Sequence, residues 1–276
     1  MKKLLVLGTI PLLLCSCASD PVIEEREYMN PEMDTGKQVT HLGYRSMEVD
    51  TYCIEEGEEK NLTRRQPDNK EIISYDTKGN CTERVSYVLE NDDLIFAYDE
   101  KLTYSETEVS AVESYDSNGI LLTKSIKQED GSWQDQDSQG NILPQSSIRD
   151  TYGNICEKTE ADKIIKTTFD LNGNILELKE VTLEGTELSD IVYQRNTNGH
   201  LPDVIIEKDE TGKSKKTTLL RGDLVNNVVT NIYTDSDGKE TERHYDTYDD
   251  NGLLIKCKIK ESNSDKLIIK KYIYSK

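Results

Sequence analysis

Histidine, tryptophan, phenylalanine and net positive charge are all scarce in this chain of 276 residues, which has three His, one Trp and two Phe. Lys and Arg number 34 against 53 Asp and Glu, a formal net charge of −19. An acidic surface repels phosphate, which argues against a nucleic-acid partner. Hydrophobic residues make up 34 % and charged residues 32 %, whereas ordinary globular chains run about 45–50 % apolar with Gly counted and about 25 % charged. That supply is too thin for the deep core of an α/β enzyme barrel and suits a sheet with one solvated face. The length admits one or two domains. No GxSxG elbow, HExxH, P-loop or Rossmann glycine pattern occurs, so no cofactor, metal or catalytic residue is assigned from motifs.

What is present begins at the N-terminus, MKKLLVLGTIPLLLCSC. Lys2 and Lys3 precede an apolar stretch from Leu4 to Leu14, of signal-peptide length and too short for a membrane span. Leu14-Cys15-Ser16-Cys17 resembles the lipobox of bacterial lipoproteins, with Ser16 before the cysteine and Leu14 three residues back from it. The resemblance implies cleavage of residues 1–16, diacylation (with palmitate-type chains) of Cys17 and anchoring to the cell envelope, with the outer membrane expected. Removing residues 1–16 takes away two lysines and no acids, so the mature charge is 32 − 53 = −21. Residues 18–45 lack strong periodicity and carry Pro21, Pro31 and Glu24-Glu25, which reads as a flexible tether after Cys17. The folded domain is expected over 46–276.

Beyond the leader, Cys53, Cys81, Cys156 and Cys257 show no CxxC or zinc spacing. An even number outside the cytoplasm allows two disulfides in three pairings. Small buried hydrophobes are the favoured reading, because three of the four stand where sister segments carry apolar residues or strand alternation.

The dominant pattern is a repeat. Twelve glycines lie between Gly79 and Gly252, and nine follow an Asp or Asn by three positions. They are Asp76–Gly79, Asp116–Gly119, Asp137–Gly140, Asp150–Gly153, Asp170–Gly173, Asn196–Gly199, Asp209–Gly212, Asp235–Gly238 and Asp249–Gly252. Asp and Asn total 42 of 276 residues, so chance pairing gives about two. An Asp at the first position of a type I turn accepts from the next amides, and Gly three residues on takes the left-handed conformation that closes a bulged hairpin. Aromatic residues precede several anchors (Tyr75, Tyr115, Phe169, Tyr248), and apolar ones follow the glycine by two (Cys81, Leu121, Ile175, Leu254). Gly185, Gly222 and Asp92-Asp93 fill the wide gaps as decayed turns.

Tyr-Asp-x-x-Gly-Asn-Ile/Leu resembles the YD repeat of RHS-type proteins, over roughly residues 70–260. Gln136, Arg149, Arg195, Lys208 and Thr234 replace the aromatic in other units, and the arginine-rich part of the RHS consensus is missing. The chain is more similar to short YD-repeat lipoproteins of Bacteroidetes than to large RHS toxins. Long arrays in such toxins enclose a cargo domain, and a shell is not expected to close over so few repeats. Single hairpins cannot bury their own apolar face, so they must stack. The expected fold is all-β: repeated antiparallel hairpins in an extended, twisted or curled meander of about a dozen strands. Strand 267–274 is expected to close one end.

The remaining candidates are weak. Carboxylates are too numerous for one pair to stand out as a glycosidase acid and base. Asp235-Ser236-Asp237-Gly238 and Asp249-Asp250-Asn251-Gly252 group oxygen ligands, but they lack the further ligands and terminal Glu of a calcium loop. Arg221-Gly222-Asp223 reads as a degenerate turn rather than an integrin motif. Trp133 suits sugar stacking if exposed, but capping of the sheet core is favoured. His41 lies in the tether, His200 takes the variable position after a turn glycine and His244 precedes Tyr245 in a charged strand, so none is read as catalytic. The functional expectation is a non-enzymatic binding or scaffolding lipoprotein, membrane-bound through Cys17, with a glycan or protein ligand. A hydrolase using a carboxylate pair on the concave face is the alternative.

Overall fold

The computed structural model describes residues 31–276 apart from 107, 144–146, 151–153, 161, 170–174 and 195–202. Helix α1 (Pro31–His41) leads into β1 (Ser46–Glu55), β2 (Asn69–Tyr75), β3 (Cys81–Glu90), β4 (Asp93–Ser105), β5 (Glu108–Tyr115) and β6 (Leu121–Lys127). There follow β7 (Trp133–Gln136), β8 (Ser147–Arg149), β9 (Ile155–Thr159), β10 (Lys163–Phe169), β11 (Ile175–Thr182) and β12 (Glu187–Gln194). The chain ends with β13 (Val204–Asp209), β14 (Ser214–Val225), β15 (Val228–Thr234), β16 (Glu240–Tyr248), β17 (Leu254–Glu261) and β18 (Lys266–Ser275).

These strands form one 18-stranded antiparallel sheet in which β18 returns to pair with β1. The ladder from Ser46↔Ser275 to Glu55↔Lys266 joins the two ends of the strand series. The expected all-β class and antiparallel hairpins are therefore present. The expected open meander of a dozen strands is not, because the curl runs almost full circle into a barrel. Right-handed twist accumulates over so many strands, and the sheet meets its own edge. One seam stays thin. Between β7 and β8 the backbone contacts among described residues are the Gln136↔Ile142 bridge and Leu143 N–H donating to Asp135 O at 2.9 Å. Side chains reinforce it: Trp133 Nε1–H donates to Asp150 O at 3.2 Å, and the Arg149 guanidinium lies 5.8 Å from the Trp133 ring centroid.

The turns obey the repeat chemistry. At Asp76, Oδ1 accepts from the amides of Lys78 and Asn80 at 2.8 and 2.9 Å, and Gly79 has φ +87°. Asp116, Asp137, Asp209, Asp235 and Asp249 repeat this pattern. Asp150 Oδ1 accepts from Asn154 N, while Gly153, Asp170 and Gly173 lie outside the described residues. The Asn after the glycine reinforces the turn with its side chain. Nδ2 of Asn80, Asn141 and Asn154 donates to the second carboxylate oxygen at 2.8, 2.8 and 2.9 Å. A register shift accompanies the hairpins, so the residue before the anchor pairs with the one two after the glycine: Tyr75↔Cys81, Tyr115↔Leu121, Phe169↔Ile175, Tyr248↔Leu254. Each is a bulged hairpin whose flanking apolar pair meets across the strands.

Two sequence assignments need correction. Gly222 is not a turn but a bulged position inside β14, where a Cβ would stand 2.4 Å from Thr230 O. The reversal comes at Asn226-Asn227, both with positive φ, and likewise at Asn91-Asp92 rather than Asp92-Asp93. Asparagine tolerates that conformation, so these short hairpins need no glycine. Gly185 does close a turn, with the Thr182 hydroxyl in place of the carboxylate.

A second difference concerns the tether. Residues 31–41 are helical and docked, with Val39 fully buried. The close approach depends on two glycines: a Cβ on Gly36 would lie 2.1 Å from Gly79 O, and one on Gly79 would lie 2.6 Å from Lys37 N. Val39 joins Met47, Val49, Ile73, Tyr75, Tyr248, Leu253 and Tyr272 in the largest core. Smaller cores surround Val109, Val112 and Trp133, and Leu219 with Tyr233. All lie on the inward face, where curvature makes side chains converge. The outward face carries Leu267 and Ile269 beneath Leu62 of the 3₁₀ segment Glu59–Arg64. Elsewhere it bears charge ladders, among them Lys70 with Glu48 and Asp50, Lys101 with Glu83 and Asp99, and Lys179 with Glu177, Glu187 and Asp190.

Candidate functional site

Cys17 and His200 lie outside the described residues, and His41 is exposed at the end of α1. Trp133 is 5 % exposed and caps the core beside the seam, so its ring is not open for sugar stacking. Oδ1 of Asp235 and of Asp249 is taken up by turn amides. The sequence anchors are thus scaffolding. They set the register that brings other side chains together on the inward face.

Two polar groups result. The first joins β15, β16 and β17. Register places Asn231 opposite His244, and Asp246 opposite Cys257. Asp246 is 1 % exposed and Cys257 is fully buried, while His244 retains 7 %. Ligand-type atoms of His244, Asp246 and Cys257 all fall within 4.8 Å of one another. Asn231 Nδ2 donates to Asp246 Oδ2 at 2.9 Å. His244 Nε2 is hydrogen-bonded to Glu242 Oε1, and the Tyr233 ring lies 5.1 Å from the imidazole. His244 Nδ1 and Asn231 Oδ1 are buried with no hydrogen-bond partner. Burial, reinforced by the Asp246 carboxylate, pushes the Cys257 thiol well above its ordinary value.

The second group spans β2, β3 and β4. Arg84 stands opposite Glu100 with an NH1–Oε2 distance of 3.3 Å. Glu71 lies one row away, opposite Ser86, which is opposite Tyr98. Burial raises the Glu71 carboxyl, against the pull of Lys270 and with a further push from Glu100. Tyr98 OH donates to Ser114 Oγ at 3.0 Å, and Tyr104 OH to Cys81 O at 2.9 Å. Burial also lifts the Cys81 thiol, to about 12.

Both groups escaped the sequence reading because their members lie far apart in the chain and occupy ordinary alternating strand positions. The one local signal was His244-x-Asp246, two residues on one face of one strand. The four cysteines among the described residues are free thiols: Cys81 and Cys257 fit the buried-hydrophobe expectation, whereas Cys53 is exposed and Cys156 half-buried. No described helix is long and apolar enough to cross a membrane.

No family model matches the sequence, and no curated protein matches it either. Among solved structures, a porin-like protein from Bacteroides uniformis aligns over 84 % of this chain and 98 % of its own, at 12 % identity and a TM-score of 0.46. A DUF1329 family protein from Desulfovibrio piger aligns over 88 % and 91 %, at 8 % identity and a TM-score of 0.21. These scores are too low for either likeness to carry an argument, so the functional reading rests on the chain's own residues.

Proposed function

We propose that the chain is an exported cell-envelope lipoprotein, anchored through Cys17, whose strand ring serves as a non-enzymatic binding or scaffolding body. The observation that carries this reading is the outward face. Lys70, Lys101, Lys124 and Lys179 pair with carboxylates there, in mid-sheet. A lysine facing lipid costs about 2–4 kcal/mol at the bilayer midplane, so a ring laddered with them favours water over hydrocarbon. A diacylated Cys17 and the residues up to α1 would hold it beside the membrane. The net charge supports protein or neutral glycan ligands over anionic lipid.

The test is metabolic labelling with a palmitate analogue, followed by fractionation. Label on the wild type, with its loss and release from membranes in Cys17→Ala, is the expected result. A wild type that stays unlabelled, or a variant that stays membrane-bound, overturns the anchor. Protease shaving of intact cells then separates a surface ring from a periplasmic one.

One observation favours the alternative. Glu71 is raised by burial and stands near the ion-paired Glu100, an arrangement in which one carboxyl can hold a proton while the other stays charged. Polysaccharide turnover abolished by Glu71→Gln would select the hydrolase reading. Binding without turnover would remove it.

A further inference from the structure

The geometry points to a closed structural site for a divalent transition metal of the zinc class, held by His244, Asp246 and Cys257. The three are buried on one inward patch, with ligand atoms mutually within 4.8 Å. The donors are an imidazole nitrogen, a carboxylate oxygen and a sulfur, the mixed set that zinc accepts and that calcium and magnesium, which take oxygen, do not.

The hydrogen bonds fix which atoms face the metal. An ionised Glu242 carboxylate only accepts, so its bond to His244 Nε2 places the ring proton there. Nδ1 then keeps its lone pair, and it is the ring nitrogen left buried without a partner. A carboxylate on the far nitrogen of a ligating histidine is the usual means of fixing its tautomer. Asn231 plays the same part for Asp246, holding Oδ2 at 2.9 Å. Asn231 Oδ1, also buried and unpartnered, is the available fourth donor.

A bound metal also answers an energetic problem. Asp246 and His244 are withdrawn from water, and burying polar groups without compensation is costly. A dication neutralises the carboxylate, satisfies Nδ1 and ties β16 to β17 at the Asp246↔Cys257 pair. The Cys257 thiol coordinates as thiolate, releasing its proton to solvent. Lys270 stands opposite Cys257 on β18, and its positive charge opposes the metal.

The test is titration of chelator-treated, full-length protein with Zn²⁺ by calorimetry and with Co²⁺ by absorption. Expected are one equivalent of tight Zn²⁺ and a thiolate-to-cobalt charge-transfer band. The band should vanish in Cys257→Ala and persist in Cys53→Ala and Cys156→Ala. Glu242→Gln should weaken Zn²⁺ by about 10–100-fold, as loss of a supporting carboxylate does elsewhere. Lys270→Gln should tighten it. Should Cys257→Ala fail to fold, the wild-type cobalt spectrum decides alone. Absence of the band, or Zn²⁺ affinity unchanged in His244→Ala and Cys257→Ala, overturns the site and leaves diffuse binding to surface carboxylates.

Discussion

Gly79 and Gly119 close turns of the same kind, with φ of +87° and +71°, yet replacing each by alanine should have different consequences. At Gly119 nothing lies within 4 Å of a new Cβ. Only the left-handed backbone is penalised, by roughly 1–2 kcal/mol. At Gly79 the new methyl would meet Lys37 N at 2.6 Å, Lys37 Cα at 2.7 Å and Gly36 C at 2.8 Å, all backbone atoms of α1. Backbone cannot swing aside as a side chain does, so the helix must lift. Lifting it exposes Val39, whose full burial is worth about 1.5–3 kcal/mol. Gly79→Ala should therefore cost about 2.5–5 kcal/mol against about 1–2 for Gly119→Ala. Urea unfolding, read as a shift in midpoint at constant slope, measures both. Limited proteolysis adds a local readout: cleavage within 31–41 should rise in Gly79→Ala and stay unchanged in Gly119→Ala. Equal midpoints, with no new cleavage, would refute the docking of α1 on this turn.

Acid should loosen the hairpins. The carboxyl of Asp116 is held low chiefly by the Ile120 amide, that of Asp137 by the Asn141 side chain and that of Asp209 by the Thr211 hydroxyl. Folded values below unfolded ones mean the stabilisation is complete above the ordinary Asp range, near 3.9, and is lost as pH falls through the depressed values. Unfolding midpoints should fall across that window, and a midpoint flat to about pH 2 would contradict it. Trp133→Phe removes the bond to Asp150 O at the β7–β8 seam, and should cost about 0.5–1.5 kcal/mol while speeding amide exchange in 147–149 more than in β1. In metal-free native protein a thiol reagent at mildly alkaline pH should modify Cys53 quickly and leave Cys81 and Cys257 untouched until unfolding.

How far the sequence revealed the molecule depended on the range of the interaction. Asp76, Gly79 and Asn80 act within five residues, so spacing alone exposed the turns, the bulges and the all-β class. Asn226-Asn227 and Asn91-Asp92 turn without glycine, and the repeat pattern did not register them. Closure was hidden because it depends on twist summed over eighteen strands and on β1 meeting β18, which no local window contains. Helix α1 has no local signature in 31–41 because its stability comes from Gly36 lying on Gly79, a contact made only after both elements form. His244, Asp246 and Cys257 look like routine strand positions until register sets two strands side by side.

The pairing of β1 with β18 also sets the order in which the molecule can be built. Every other ladder among the described residues joins strands consecutive along the chain, so hairpins can zip in sequence as loops of modest length close. β1 finds β2 early but waits for the last strand to cover its other edge, and until then that row of amides and carbonyls is open to pairing with other chains. Relative contact order is thus concentrated in one late event, and refolding should be slow and prone to intermolecular association before closure. Once formed, that same long-range ladder must break before either end can fray, giving the native ring a resistance to unfolding that its thin core alone does not provide.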